Sequence, residues 1–304
     1  MGGTGAGLDP GDGAAVRIAT RGSALALWQA HHVGALVTAA GAGGYELVVV
    51  ETTADQRLDV QIWELGGKGV FVKEVQAAVL DGRADLAVHS AKDLPAITPD
   101  GLTLACVPER ADPRDVLVGA TLEGLAPGAT VATGSRRRQV QLAERRPDLA
   151  FIGLRGNIAT RLDKVPPGGA IVMAAAAIER LGLSPTVVDV LGVDTMLPQV
   201  GQGALAIECR ADDTGLAALL ASCEHEPSRL AVDTERAFLA ELGGDCDLPA
   251  GAHCVVVGEG DGAGGERELV CTGLLAPDDG PLRRSTQRGV DPDTLGRAVA
   301  GAVR

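Results

Sequence analysis

Three consecutive arginines, Arg136, Arg137 and Arg138, follow a Thr-Gly-Ser turn in TGSRRRQVQLAERR (133–146), inside a chain whose formal net charge is −13. The residues after the turn have a helical pattern, which puts these cations at a helix N-terminus. There each costs about 0.3–1 kcal/mol against the helix dipole unless an anion offsets it. Arg145, Arg146, Arg155, Arg161 and Lys164 extend the run. A run of this kind is commonly a solvated helix face. Three placements argue for a shared anion site instead: the triplet sits at the unfavourable helix end, Arg155 follows strand FIGL in an RGN loop, and Arg161 lies on the next short helix. Guanidinium forks match carboxylates and phosphates, so the expected ligand carries several such groups.

Two further stretches could carry chemistry. HSAKDLP (89–95) ends strand ADLAV and places Lys92 beside Asp93. A surface ion pair of this type contributes little, but the end of a strand in an α/β lobe faces a ligand crevice. A carboxylate there is suited to stabilising developing positive charge. GGDCDLPAG (243–251) holds Cys246 in a Gly-rich loop after a helix. Free cysteines are usually inert core residues, whereas this setting suits a covalent attachment point. Cys246, His253 and Cys254 lack zinc-ligand spacing, so no metal site is expected. GGTGAG near the N-terminus follows no strand, and no Walker A or GxSxG sequence occurs.

These residues need a frame. VRIAT reads as a strand, Ser23 as the cap of a helix running to Gly41, and YELVVVETT as a second strand. A helix over KGVFVKEVQAAVLDG and strands ADLAVHS and TLACVPE follow. The alternation resumes with TVAT, SRRRQVQLAERR, LAFIGL, IATRLDKV and AIVMAA leading into AAIERLGL. Strand–helix alternation implies parallel sheets. ALAIECR (204–210) reads as a return to the first sheet after a hinge-like GQG. From about 222 a helix (SRLAVDTERAFLAELGG) precedes strands HCVVVGE and ELVCTGLL, an α+β pattern. The expected organisation is therefore a disordered tail (1–15), domain 1 (16–110 and 201–221), domain 2 (111–200) and domain 3 (222–304). IATRGSALALWQ and VATGSRRRQVQL echo one another as strand, Thr, Gly-Ser, helix. The echo suggests two similar lobes, each aiming backbone N–H groups at an anion.

Aromatics are 2% of the chain, so Val, Leu, Ile and Ala supply the packing. The acidic balance opposes general binding to nucleic acid or an anionic membrane, both of which need a positive field. The N-terminal residues lack a signal-peptide pattern, and the apolar run GAIVMAAAAI is too short for a bilayer. A cytoplasmic protein is expected, with its six cysteines as thiols.

RIATRGSALALWQA, GGKGVFVKE, RADLAVHSAKDLP, ERADPRD, RRRQVQLAERRPDL, LRGNIATRL, LPQVGQGALAIECR and GGDCDLPAG together resemble the porphobilinogen deaminase (hydroxymethylbilane synthase) family, in order and spacing. The resemblance implies an α/β fold: two lobes like those of periplasmic binding proteins, with mainly parallel sheets, plus a smaller α+β C-terminal domain. It implies a dipyrromethane cofactor joined by a thioether to Cys246. It further implies stepwise deaminating addition of four porphobilinogen units, releasing hydroxymethylbilane for tetrapyrrole biosynthesis by a monomer. Carried over by motif, Asp93 is the catalytic carboxylate. Arg21, Ser23, Lys68, Lys92, Ser135, Arg137, Arg138, Arg155 and Arg161 bind the acetate and propionate groups of the growing polypyrrole, with Ser90, Thr133 and Arg180 as further candidates.

Four residues depart from the family pattern. Glu64 stands where a lysine is frequent, Arg136 where an apolar residue is usual, and Asp245 replaces a glycine before Cys246, with Asp247 after it. Anions flanking a thiol raise its pKa and slow attachment, a step needed once per molecule. Two other readings remain at this point: a non-catalytic two-lobed protein that binds polycarboxylates, and a nucleic-acid-binding regulator using the arginine run.

Overall fold

The computed structural model describes residues 13–51, 72–243, 248–258, 267–277 and 280–304. Lys68, Glu64, Asp245, Cys246, Asp247 and residues 1–12 of the expected tail lie outside the described residues. The chain forms two compact units, Met1–Arg110 with Ala204–Arg229, and Ala111–Gly203 with Leu230–Arg304. The segments expected as domains 2 and 3 fall mostly within the second unit.

In the first unit, strands β1 (Val16–Arg21), β2 (Tyr45–Val50), β3 (Leu86–Ser90), β4 (Leu102–Cys106) and β10 (Leu205–Arg210) form one sheet in the order β2-β1-β3-β10-β4. β1 runs parallel to β2 and β3, while β10 is antiparallel to both β3 and β4. The sheet is buried on both faces because its strands alternate between two apolar clusters. Val16, Ile18, Leu86, Val88, Leu205 and Ile207 join Val33 and Val37 of helix α1 (Ala24–Ala39). Ala19, Ala87 and Leu102 join Val75, Ala78 and Val79 of helix α2 (Lys73–Leu80) on the other. Helix α6 (Thr214–Ala221) adds Leu216 and Leu220 to the α1 side.

The second unit repeats this design. β5 (Asp115–Val118), β6 (Thr130–Ala132), β7 (Ala150–Ile152), β8 (Ala170–Ala174) and β9 (Val188–Leu191) are ordered β7-β6-β8-β5-β9. Again the first three are parallel and the fourth is antiparallel to both neighbours. Leu117, Val131, Ala170 and Val172 pack with Leu142 of helix α3 (Arg136–Arg145). Val116, Val118, Ile171 and Met173 face the opposite way, against Ile178 of helix α5 (Ala175–Arg180) and Ile158 of helix α4 (Ile158–Leu162). The same unit holds an antiparallel sheet of β11 (Ala250–Val257), β12 (Glu268–Leu275) and β13 (Arg283–Gly289). Phe238 of helix α7 (Glu226–Glu241) and Val299 of helix α8 (Pro292–Val303) close on Gly273, where a Cβ would lie 2.5 Å from each. Asp291 caps α8, with Pro292 at its start.

Candidate functional site

Each unit gathers its candidate residues at the carboxyl edge of its parallel strands. β1 and β3 are adjacent and parallel, so Arg21 and Ser90 end on one edge of the first sheet. Ser23 caps α1, accepting from the backbone N–H of Ala26 at 3.3 Å. Gln29, buried on α1, donates through Nε2 to Ser90 Oγ at 2.8 Å, which ties the helix to the end of β3. Lys92 and Asp93 occupy the single 3-10 turn Ala91–Asp93 that follows, and the N–H of Ala91 donates to the carbonyl of Ala204 at 3.0 Å. Arg21, Ser23, Ser90, Lys92 and Asp93 are thereby carried by one strand edge of the first unit.

The second unit places its set in the same way. Thr133, fully buried at the end of β6, donates its N–H to the carbonyl of Ile152 on β7, and its Oγ accepts from the N–H of Ser135. Ser135 is the N-cap of α3, so the two Gly-Ser turns of the sequence echo are both caps after the second strand of equivalent sheets. Arg155 follows β7. Arg161, on α4, donates through Nε to the carbonyl of Gly156 at 2.7 Å, and Lys164 donates to that of Arg155 at 3.0 Å. Arg180, at the end of α5, donates to the carbonyl of Gly203 at 2.7 Å, and burial lowers its pKa from the ordinary arginine value.

The arginine triplet divides by helix geometry. Arg136 is exposed, whereas Arg137 and Arg138 share the buried face of α3 with Gln141 and Leu142. Their counter-ion is internal. Asp115 opens β5 with no solvent exposure and accepts from Arg137 Nη2 at 2.7 Å, from Arg138 Nη2 at 2.7 Å and Nε at 3.1 Å, and from Gln202 Nε2 at 2.9 Å. Burial opposes ionisation of this carboxyl, but the two guanidiniums outweigh it and hold its pKa well below the ordinary range. Arg137 Nη1 also donates to the carbonyl of Leu197, and Arg138 Nη1 to that of Val172. Both arginines are expected to bind ligand carboxylates, and one of their two charges is already matched within the fold.

Not all the basic run belongs here. Arg146 pairs with Asp148 at 2.7 Å, and Arg145 donates to the carbonyl of Asp194, both at the far end of α3. Asp115 and Gln202 were missed by sequence reasoning, although an aspartate opening the apolar run DVLV is itself a signal, because a buried carboxylate requires a partner.

A family model described as porphobilinogen deaminase, dipyromethane cofactor binding domain, matches residues 16–218. The chain belongs to the porphobilinogen deaminase family. A porphobilinogen deaminase of Nitratidesulfovibrio vulgaris (strain DSM 19637 / Miyazaki F) is 52% identical over 249 residues, covering 80% of this chain and 78% of the relative. Another, from Brevibacillus brevis, is 44% identical over 294 residues, covering 94% and 93%.

The cofactor of porphobilinogen deaminases tests the second unit's residues. A dipyrromethane bears acid side chains and needs buried positive charge. Two guanidiniums against one carboxylate leave a net positive charge at the N-terminus of α3, and Arg137 Nε is buried without a hydrogen-bond partner. That donor set fits an acidic pyrrole. No group of three or more His, Cys, Asp or Glu residues able to hold a metal occurs among the described residues.

Proposed function

We propose that this chain catalyses the hydroxymethylbilane synthase reaction: four porphobilinogen units are joined head to tail with loss of ammonia at each, and the linear product is released by hydrolysis. The observation that carries this reading is the 44% identity to a porphobilinogen deaminase across 94% of the chain. Cys246 is the attachment point of the dipyrromethane. When bound, that group supplies the nucleophilic free α-carbon to which the first unit is joined.

Asp93 is the catalytic carboxylate. It accepts hydrogen bonds from pyrrole N–H groups and stabilises the cation left on the substrate when its C–N bond breaks. It then takes part in moving the proton lost as the new C–C bond forms. Its place on the turn that closes β3, next to Lys92, supports this role. Arg21, Ser23, Lys68, Ser90 and Lys92 from the first unit, and Thr133, Ser135, Arg137, Arg138, Arg155, Arg161 and Arg180 from the second, hold acetate and propionate groups. Among the described members of this set, clustering toward the strand carboxyl edges within each unit supports the assignment. We read the second unit as two domains, one for each of its sheets, and the protein as a cytoplasmic monomer whose partners are small acidic pyrroles. A net charge of −13 counts against nucleic acid as a partner.

Intact-mass measurement tests the reading. Protein from a pyrrole-synthesising cell should carry the mass of a dipyrromethane, and Cys246→Ser should weigh only its polypeptide. A bare wild-type mass, with no product formed from porphobilinogen, would favour a non-catalytic polycarboxylate binder.

A further inference from the structure

The unbalanced charge at the start of α3 has a consequence for Asp115, to which no role has been assigned. Its two oxygens accept four hydrogen bonds, three at Oδ1 from Arg138 and Gln202 and one at Oδ2 from Arg137. It has no solvent exposure through which to meet a ligand. One negative charge faces two positive ones, the helix N-terminus adds partial charge of the same sign, and Arg137 Nε is a buried donor with no acceptor. The side chains of Arg137 and Arg138 are only 4% and 10% exposed. A purely structural cluster so deeply buried would be neutral, since an uncompensated buried charge is costly.

The surroundings fix where this charge sits. Gln202 bridges Asp115 and the carbonyl of Pro113, and the N–H of Ala111 donates to the carbonyl of Gly203. Gly203 has φ +86°, and a Cβ there would lie 2.5 Å from the carbonyl oxygen of Ala111. Gln141 holds the segment from the other side, donating to the carbonyl of Leu197 and accepting from its N–H. The segments at 111–115 and 197–203 are thus joined to each other and to the arginine pair through one carboxylate.

We propose that Asp115 is a positioning residue: it locks the planes of Arg137 and Arg138 and cancels one of their charges, so that the pair receives a single ligand carboxylate in a set orientation. This rests on the deaminase reading, in which that carboxylate belongs to a pyrrole. The residue touches neither substrate nor cofactor. A neutral side chain of the same shape should fill its place without performing its task, whereas a small free carboxylate should restore it.

The test compares wild type with Asp115→Asn, Asp115→Gly and Arg137→Gln, reading the dipyrromethane-loaded fraction by intact mass, kcat and KM for porphobilinogen, and the thermal midpoint. Asp115→Asn should lower the loaded fraction or raise KM at least about five-fold, and formate should restore Asp115→Gly but not Asp115→Asn. Arg137→Gln leaves a one-to-one pair, so its unloaded form should melt no lower than unloaded wild type while loading falls at least about five-fold. Loading and KM within two-fold of wild type in Asp115→Asn would overturn the proposal. So would a formate-independent Asp115→Gly, or an unloaded Arg137→Gln that melts well below unloaded wild type. The last comparison decides the matter even if both Asp115 variants fail to fold. An unloaded, inactive wild type would instead overturn the deaminase reading.

Discussion

Gly251→Ala probes how the small sheet bears on the arginine pair. A Cβ at this position of β11 would lie 2.6 Å from the carbonyl oxygen of Pro198, 3.1 Å from that of Leu197 and 3.2 Å from Arg137 Cδ. Carbon–oxygen contacts settle at about 3.3–3.6 Å, so the Pro198 carbonyl must recede by about 0.7–1.0 Å. Both opposing oxygens are backbone, and β11 is held along its length by β12, so neither side yields by a rotamer change. Overpacking of this kind costs about 1–3 kcal/mol. At about 2–4 °C per kcal/mol, the thermal midpoint should fall by about 2–12 °C. The carbonyl of Leu197 is also the acceptor for Arg137 Nη1 and Gln141 Nε2, so the displacement should lower the dipyrromethane-loaded fraction as well. Gly301→Ala on α8, where a Cβ meets nothing within 4 Å, is the control and should melt at or slightly above wild type. A Gly251→Ala protein melting within about 1 °C of wild type and fully loaded would refute the packing argument.

Other expectations concern the chemistry. Asp93→Asn should retain the dipyrromethane mass yet lose turnover by about 10²-fold or more, and near-normal steady-state rates would remove Asp93 from its role. Arg155→Leu should raise KM for porphobilinogen while leaving the melting temperature within about 2 °C of wild type; unchanged kinetics would contradict a ligand-binding role for this strand-end loop. Because the folded-state pKa of Asp115 is depressed, its stabilisation is complete above the ordinary aspartate pKa and is lost as pH falls below that value toward the folded one. Thermal midpoints taken from pH 6 down to pH 3 should therefore drop more steeply for wild type than for Asp115→Asn. Parallel curves would show that the carboxylate carries no linked stability.

Periodicity exposed those elements whose apolar residues recur over several turns or alternate cleanly, including α1, β1, β3, β8 and β10, and with them the two-lobe echo. It passed over β5, β9, β13, α6 and α8. β5 and β9 have four residues each, too few to establish a period. β13 reads RRSTQRG, a polar edge strand whose fit comes from pairing with β12 rather than from an apolar face. The site shows the same division. Arg137 and Arg138 stood out because they violate the helix dipole rule, whereas their counter-ion lies 22 residues from Arg137 in sequence, and only the sheet order brings the two together. Ser23 and Ser135 were legible because capping is local; Gln202, reaching 87 residues to Asp115, was not.

The sheet order of the first unit bears on how the chain is made. Among the described residues β4 hydrogen-bonds to no strand except β10, which is synthesised about a hundred residues later. A nascent chain that has emerged only through Arg110 therefore owns a three-stranded ribbon and an orphaned fourth segment with its apolar face uncovered. Completion waits on the ribosome delivering Leu205–Arg210. Throughout that interval the young polypeptide is a natural client for chaperones.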